Sequence, residues 1–325
     1  MRRAIPIAAL LTLFTSASFA AEITGRVVER AQKGERPVGN QSVRLQILRG
    51  ESDLQWAETK TSADGSFRFR NLVPDREHIH VVHLDYQGVP FSALPVRFSE
   101  TDRTIPLPPF RVYPAVGKPD RVEANEKLVI ASGRGDSLKL IETITFVNRG
   151  DRTYTPRAQG GVPIEISLIR GGFGLELLEG FTEDSFDIDS SGNTLLLKKP
   201  IPPGDENRLR IRFAYSLPYE TRNLSLSFRA NIARSGLDLI LTGGPSGLSS
   251  LQLHVQPTAP QGKNASRVYS GGPFPAGEII RAELTGLWPA NHVGFLFVSL
   301  GILAVFVSAV FLWFRGNRKG SRKGS

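Results

Sequence analysis

Residues 293–314, VGFLFVSLGILAVFVSAVFLWF, form an uncharged run of 22 residues, 15 of them Leu, Ile, Val or Phe. At about 1.5 Å per residue, a helix of this length reaches roughly 33 Å, against about 30 Å of bilayer hydrocarbon. Its apolar side chains favour insertion by about 4 to 9 kcal/mol. A buried core helix is seldom so long or so uniformly apolar, so the segment is read as a transmembrane helix. Trp288 and Trp313 flank it, where interfacial indoles sit. Arg315, Arg318, Lys319, Arg322 and Lys323 follow at once, while residues 287–292 carry no Lys or Arg. The positive-inside rule then puts the basic tail, 315–325, in the cytoplasm and everything before 293 outside. Gly294, Gly301 and Ser308 are spaced by seven, a small-residue stripe that permits close helix packing.

The other end has its own signature. Residues 1–20, MRRAIPIAALLTLFTSASFA, carry Arg2 and Arg3, a short apolar run and a small-x-small ending, Ser18-Phe19-Ala20. This is the pattern of a cleaved secretory signal peptide. Of the net charge of +9, two units come from Arg2 and Arg3 and five from the tail, leaving two for residues 21–314. The basic balance is therefore a topology signal and does not indicate nucleic-acid binding, which needs a basic patch on a folded domain. There is no cysteine, which excludes a disulfide scaffold and an acylated lipoprotein. With this leader, the composition points to the bacterial envelope: the cytoplasmic membrane, with the N-terminal domains periplasmic or extracellular.

Residues 21–108 read as strands. Ser42 to Leu48 alternates, with Val43, Leu45 and Ile47 on one face. Asp64-Gly65 is a tight-turn pair, and Phe67 and Phe69 follow it with period two. Short strands with turn signals every 8–12 residues predict a β-sandwich. Gly25 in the first strand, Pro37-Val38 leading into Val43 and Leu45, then Thr61, Asp64-Gly65, Phe67, Phe69, Leu72 and Pro74 give the region its resemblance. It resembles a carboxypeptidase regulatory-like domain, the transthyretin-like (prealbumin) sandwich. That resemblance implies a noncatalytic module used as a spacer, stabiliser or binding domain.

A proline-rich stretch, Thr104-Ile-Pro-Leu-Pro-Pro-Phe110, is expected to be a linker. Strand patterns resume over 109–290. In the clearest of them Leu138, Leu140, Ile144 and Phe146 share one parity. The layout is similar to immunoglobulin-like sandwiches, either one large unit or two divided near Leu217-Pro218. The expected fold is thus all-β: a transthyretin-like β-sandwich, one or two further Ig-like β-sandwich units, and a C-terminal transmembrane helix.

Candidate chemistry is sparse. His78 and His80 share a strand face and are the candidate metal ligands, with Asp75, Glu77 or Asp85 nearby in sequence. The competing reading is a solvated strand face. Asp187-Ile-Asp189-Ser-Ser191-Gly192 opens like a Ca²⁺ loop, but Lys198 stands where the bidentate Glu belongs, so a strand-end turn is favoured. Gly243 to Gly247 lacks the G-x-S-x-G spacing and reads as a plain loop, and Gly171 to Gly174 opens no helix and reads as a β-turn. No catalytic or cofactor-binding residue is assigned, and no enzyme activity is expected. The leading expectation is a membrane-anchored, noncatalytic binding or scaffolding protein, its partner an envelope protein or a glycan. The alternatives are an accessory subunit of an envelope transport, secretion or cofactor-maturation complex, or a metal-binding factor or metal-dependent enzyme using His78 and His80.

Overall fold

The computed structural model describes residues 21–31, 34–50, 52–99, 101–132, 136–182, 185–243, 245–257 and 266–289. The leader pattern at 1–20, the apolar segment 293–314 and the tail lie outside them. Among the described residues no helix is long and apolar enough to cross a membrane. The described chain is all-β, with one short 3-10 turn at Asp205–Asn207. It divides into two compact units after Pro114.

The first unit is a two-sheet β-sandwich. Its strands are β1 (Ala21–Ala31), β2 (Gly34–Pro37), β3 (Ser42–Arg49), β4 (Ser52–Lys60), β5 (Ser66–Leu72), β6 (His78–Tyr86), β7 (Val89–Ser92), β8 (Thr104–Pro106) and β9 (Phe110–Val112). β1 pairs antiparallel with β2 and β5, and parallel with β8 and β9. The facing sheet runs β4-β3-β6-β7. Period-two alternation turns Ile23, Val27, Phe67 and Phe69 of one sheet toward Val43, Leu45, Val82 and Leu84 of the other, and all are buried. The proline-rich stretch expected as a linker is instead part of this sandwich, laid along β1 as two short strands. Edge positions tolerate prolines because their missing N–H need not join a ladder.

The second unit contains β10 (Ala115–Val116), β11 (Val122–Ser132), β12 (Ser137–Asn148), β13 (Thr153–Tyr154), β14 (Ile164–Ser167), β15 (Phe173–Glu179), β16 (Phe186–Ile188), β17 (Thr194–Leu197), β18 (Leu209–Pro218), β19 (Leu224–Arg229), β20 (Ala233–Thr242), β21 (Gly247–Ser249), β22 (His254–Val255), β23 (Arg267–Gly271) and β24 (Ile279–Thr285). A seven-stranded sheet, β15-β18-β12-β11-β20-β23-β22, carries the longest strands. Two three-stranded sheets, β14-β17-β16 and β19-β24-β21, bury their apolar faces in the same core. Residues on both sides of Leu217-Pro218 contribute to that single core, from Val122 to Leu287.

Gly25 shows how tightly the first sandwich is built. It lies opposite Phe67 in the β1–β5 ladder, and a Cβ at this position would collide with the Phe67 ring. Gly25→Ala is therefore expected to cost about 1–3 kcal/mol through overpacking. Thermal unfolding would show this as a lower midpoint for the first unit's transition; an unchanged midpoint would refute the packing assignment.

Candidate functional site

An open groove of the first unit lies where β4 and β5 diverge. The turn 61–65 joins them, yet they belong to opposite sheets, and among the described residues each pairs with a strand on one side only. Alternation along β5 sends Phe67 and Phe69 inward and leaves Ser66, Arg68 and Arg70 exposed. Thr24 and Arg26 of β1, Thr59 and Lys60 at the end of β4, and Leu107 and Pro109 on the far side of β1 join Arg68 and Arg70 around an open groove of about 800 Å³. Four cations thus line one concavity. The Arg26 Nε donates to the Asp64 carbonyl at 2.7 Å, and Arg68 lies 3.5 Å from Glu22.

The adjoining turn is pinned by its own hydrogen bonds. Asp64 accepts from the Ser62 hydroxyl, from the Ser66 amide and from the Ser66 hydroxyl. These bonds hold its carboxyl down at about 2, so the turn keeps its geometry across physiological pH. Gly65 sits at φ +81, and a Cβ would meet the Val27 carbonyl, which fixes the Asp-Gly requirement of this turn.

His78 and His80 do share a face of β6, but that face is largely the core. His80 is 1% exposed and packs edge-on against Phe98 at 5.0 Å between ring centroids. Burial pushes its imidazole pKa down, and the neighbouring His78 adds to the effect. His78 Nδ1 lies 3.2 Å from Asp75 Oδ2. Among the described residues, no group of three or more His, Asp or Glu side chains is arranged to hold a metal ion. On the opposite face His83 is bonded to Ser92 Oγ and Gln46 Oε1.

Asp189, Asp187 and Glu176 make ordinary contacts. Asp189 accepts from the Asn193 and Thr194 amides and the Ser191 hydroxyl, closing the strand-end turn. Asp187 pairs with Lys198, the residue standing at the would-be bidentate position, at 2.8 Å. Glu176 pairs with Lys139 at 2.8 Å.

The second unit holds a cluster that the sequence reading missed. Glu126 and Glu142 are diagonal neighbours on β11 and β12, and both point into the core. Arg234 Nη1 reaches Glu126 Oε2 at 2.7 Å, though off line for a hydrogen bond. Arg234 points inward because a bulge at Ser235 shifts the β11–β20 register between Ala124 and Asn125. The Tyr215 hydroxyl donates to Glu142, and itself accepts from the Ile169 amide. Burial, with the Glu126 charge second, pushes the Glu142 carboxyl up to about 8, against the pull of Tyr215 and Arg234. Burial also raises Glu126, with Arg234 opposing. The cluster is sealed, with Glu126 2%, Glu142 4% and Tyr215 0% exposed, so it bears on stability and offers no route to a substrate.

No family model matches the sequence, and no curated protein matches it. Among solved structures, the chain is similar to GBS52, the minor pilin of the Gram-positive pathogen Streptococcus agalactiae. That likeness has 11% identity and a TM-score of 0.22, covering 74% of this chain and 99% of that one. The RrgB pilus protein of Streptococcus pneumoniae matches at 8% identity and a TM-score of 0.20, covering 83% of this chain and 62% of that one. The yeast delta-COP-I mu-homology domain, solved with a Dsl1 WxWxV peptide, matches at 11% identity and a TM-score of 0.19, over 54% and 78%. At such scores these likenesses carry no argument about this protein.

Glu142 yields a pH prediction. The folded state keeps its proton to about pH 8, whereas an unfolded carboxyl releases it near 4.5. The contribution is fully present below the unfolded value and is lost as pH rises through the folded one. Chemical denaturation at pH 5.5 and 8.5 should show the wild type losing stability with rising pH. Glu142→Gln should flatten that slope and gain on the order of 2 kcal/mol over wild type at pH 8.5. Identical slopes would mean that Glu142 is not held neutral.

Proposed function

We propose that the chain is a membrane-anchored, noncatalytic binding and scaffolding protein of the bacterial envelope. It would hold two β-rich units outside the cytoplasmic membrane and engage an envelope protein or a glycan. The observation that carries this reading is the open cationic groove between β4 and β5. Its lining supplies Arg, Lys and Thr side chains suited to binding, and includes no His, Asp or Glu to act as a general base. The leader pattern and the apolar segment 293–314 support secretion and anchoring. We read the first unit as a carboxypeptidase regulatory-like module. The two-sheet sandwich, Gly25 beneath Phe67 and the Asp64-Gly65 turn support that reading.

A role as an accessory subunit of an envelope complex is the second reading, favoured by the small-residue stripe of Gly294, Gly301 and Ser308. The metal-dependent reading at His78 and His80 is disfavoured by the burial of His80 against Phe98.

Because the chain has no cysteine, its topology can be tested with single introduced thiols. A membrane-impermeant maleimide should label Ser190→Cys in intact spheroplasts, and Ser321→Cys only after lysis. Labelling of Ser321→Cys in intact cells, or protection of Ser190→Cys, would overturn the proposed orientation.

A further inference from the structure

We infer that the groove between β4 and β5 takes an extended acidic peptide segment of a partner protein, added as a strand along β5. This inference rests on the binding role proposed above and names the chemistry of the ligand.

Main-chain geometry gives the first argument. The Val27 amide donates to the Gly65 carbonyl at 2.8 Å. The β1–β5 register pairs Gly25 with Phe67 and Ile23 with Phe69. In an antiparallel ladder, these alternate pairs exchange their hydrogen bonds, and the residues between them turn N–H and C=O outward. Arg68 therefore presents both main-chain groups to the open edge of β5. The same alternation is visible on the far side of β1, where the Thr24 carbonyl points away from β5 and accepts from the Leu107 amide at 2.7 Å. β4 repeats the arrangement: the Thr61 amide donates to the Gln41 carbonyl, so Trp56, Glu58 and Lys60, before the register shifts, turn their main-chain groups outward. Two open strand edges thus face one groove, which is the setting for strand addition.

Charge gives the second argument. Arg68 and Arg70 are two apart on one face of β5, the spacing at which a paired strand presents alternate side chains. A Glu-x-Glu segment paired with β5 would set its carboxylates opposite these guanidinium groups, with Lys60 and Arg26 flanking. A polyanionic glycan would meet the cations but has no main chain of strand periodicity to pair with both the N–H and the C=O of Arg68.

The test uses the full-length protein in detergent micelles and two fluorescein-labelled octapeptides, both Glu-Thr-Glu-Val-Glu-Thr-Glu-Val. One is unmodified, and the other has alternate amides N-methylated to remove their N–H groups. The unmodified peptide should bind, and binding should weaken as salt rises. N-methylation should weaken it at least tenfold. So should Arg68→Glu/Arg70→Glu, and the milder Arg68→Gln/Arg70→Gln should weaken it in the same direction with circular dichroism unchanged. Lys127→Glu, on the exposed face of β11, should leave affinity as in the wild type. Equal binding of both peptides would overturn strand addition in favour of a simple anion site, and tighter binding of hyaluronate would overturn it in favour of a glycan. Failure to bind either peptide would also sink it. The envelope reading would survive that failure if Ser190→Cys still labels from outside.

Discussion

The ladder between β1 and β5 is the interaction on which the first unit depends. β1 is paired on both sides, by β5 and β2 along one edge and by β8 and β9 along the other. β5 has β1 alone among the described residues, and its second edge is open among them. The Phe67 ring fills the space left by Gly25 and holds the two strands in register. The same ladder that completes the core thereby sets Arg68 and Arg70 outward beside an unpaired edge. The proposed binding edge thus lies where the sheet stops.

Both units also bury acid, and each handles it with a cation and a tyrosine. In the first, Glu29 is 2% exposed and is met by Arg36 and by the Tyr86 hydroxyl. Burial and the Glu29 contact raise Tyr86 to about 12. In the second, Arg234 meets Glu126 and Tyr215 meets Glu142. Arg234 contacts Glu126 there, and burial, with the Glu126 charge second, makes the neutral form of Glu142 the favoured one. Such clusters stabilise a fold only while every member keeps its partner.

Much of the fold was legible from period-two patterning, because an exposed-buried alternation has a local cause. Val43, Leu45, Phe67 and Phe69 occupy the inward positions their spacing predicts, and the Asp64-Gly65 turn sits where the strands break. Pairing between distant strands was not legible. Nothing in Thr104 to Phe110 announces that it lies along β1, since its prolines resemble a linker and the partner is some 80 residues away. The buried acids do leave a signal in the sequence: position 142 falls on the same parity as Leu138, Leu140, Ile144 and Phe146, and Glu29 on that of Ile23 and Val27. A charged residue on an inward parity marks a buried polar cluster. Its partners come from other strands, and Arg234 reaches the core through a bulge that sequence spacing does not reveal. The groove was equally hidden, because Arg26, Lys60, Arg68 and Arg70 converge only once both sheets exist. The histidine pair was legible as a shared face, but His80 continues the core face of Val82 and Leu84, which its polar character disguises.

The proposed binding surface is the open edge of β5. Site-specific photocrosslinking in native membranes tests it most directly, with benzoylphenylalanine placed at Lys60 in the groove or at Lys127 on β11. Position 60 should give a discrete protein adduct that is lost when Arg68→Glu/Arg70→Glu is added, and position 127 should give none. Adducts of equal yield from both positions, or an adduct at position 60 that survives the charge reversal, would contradict it.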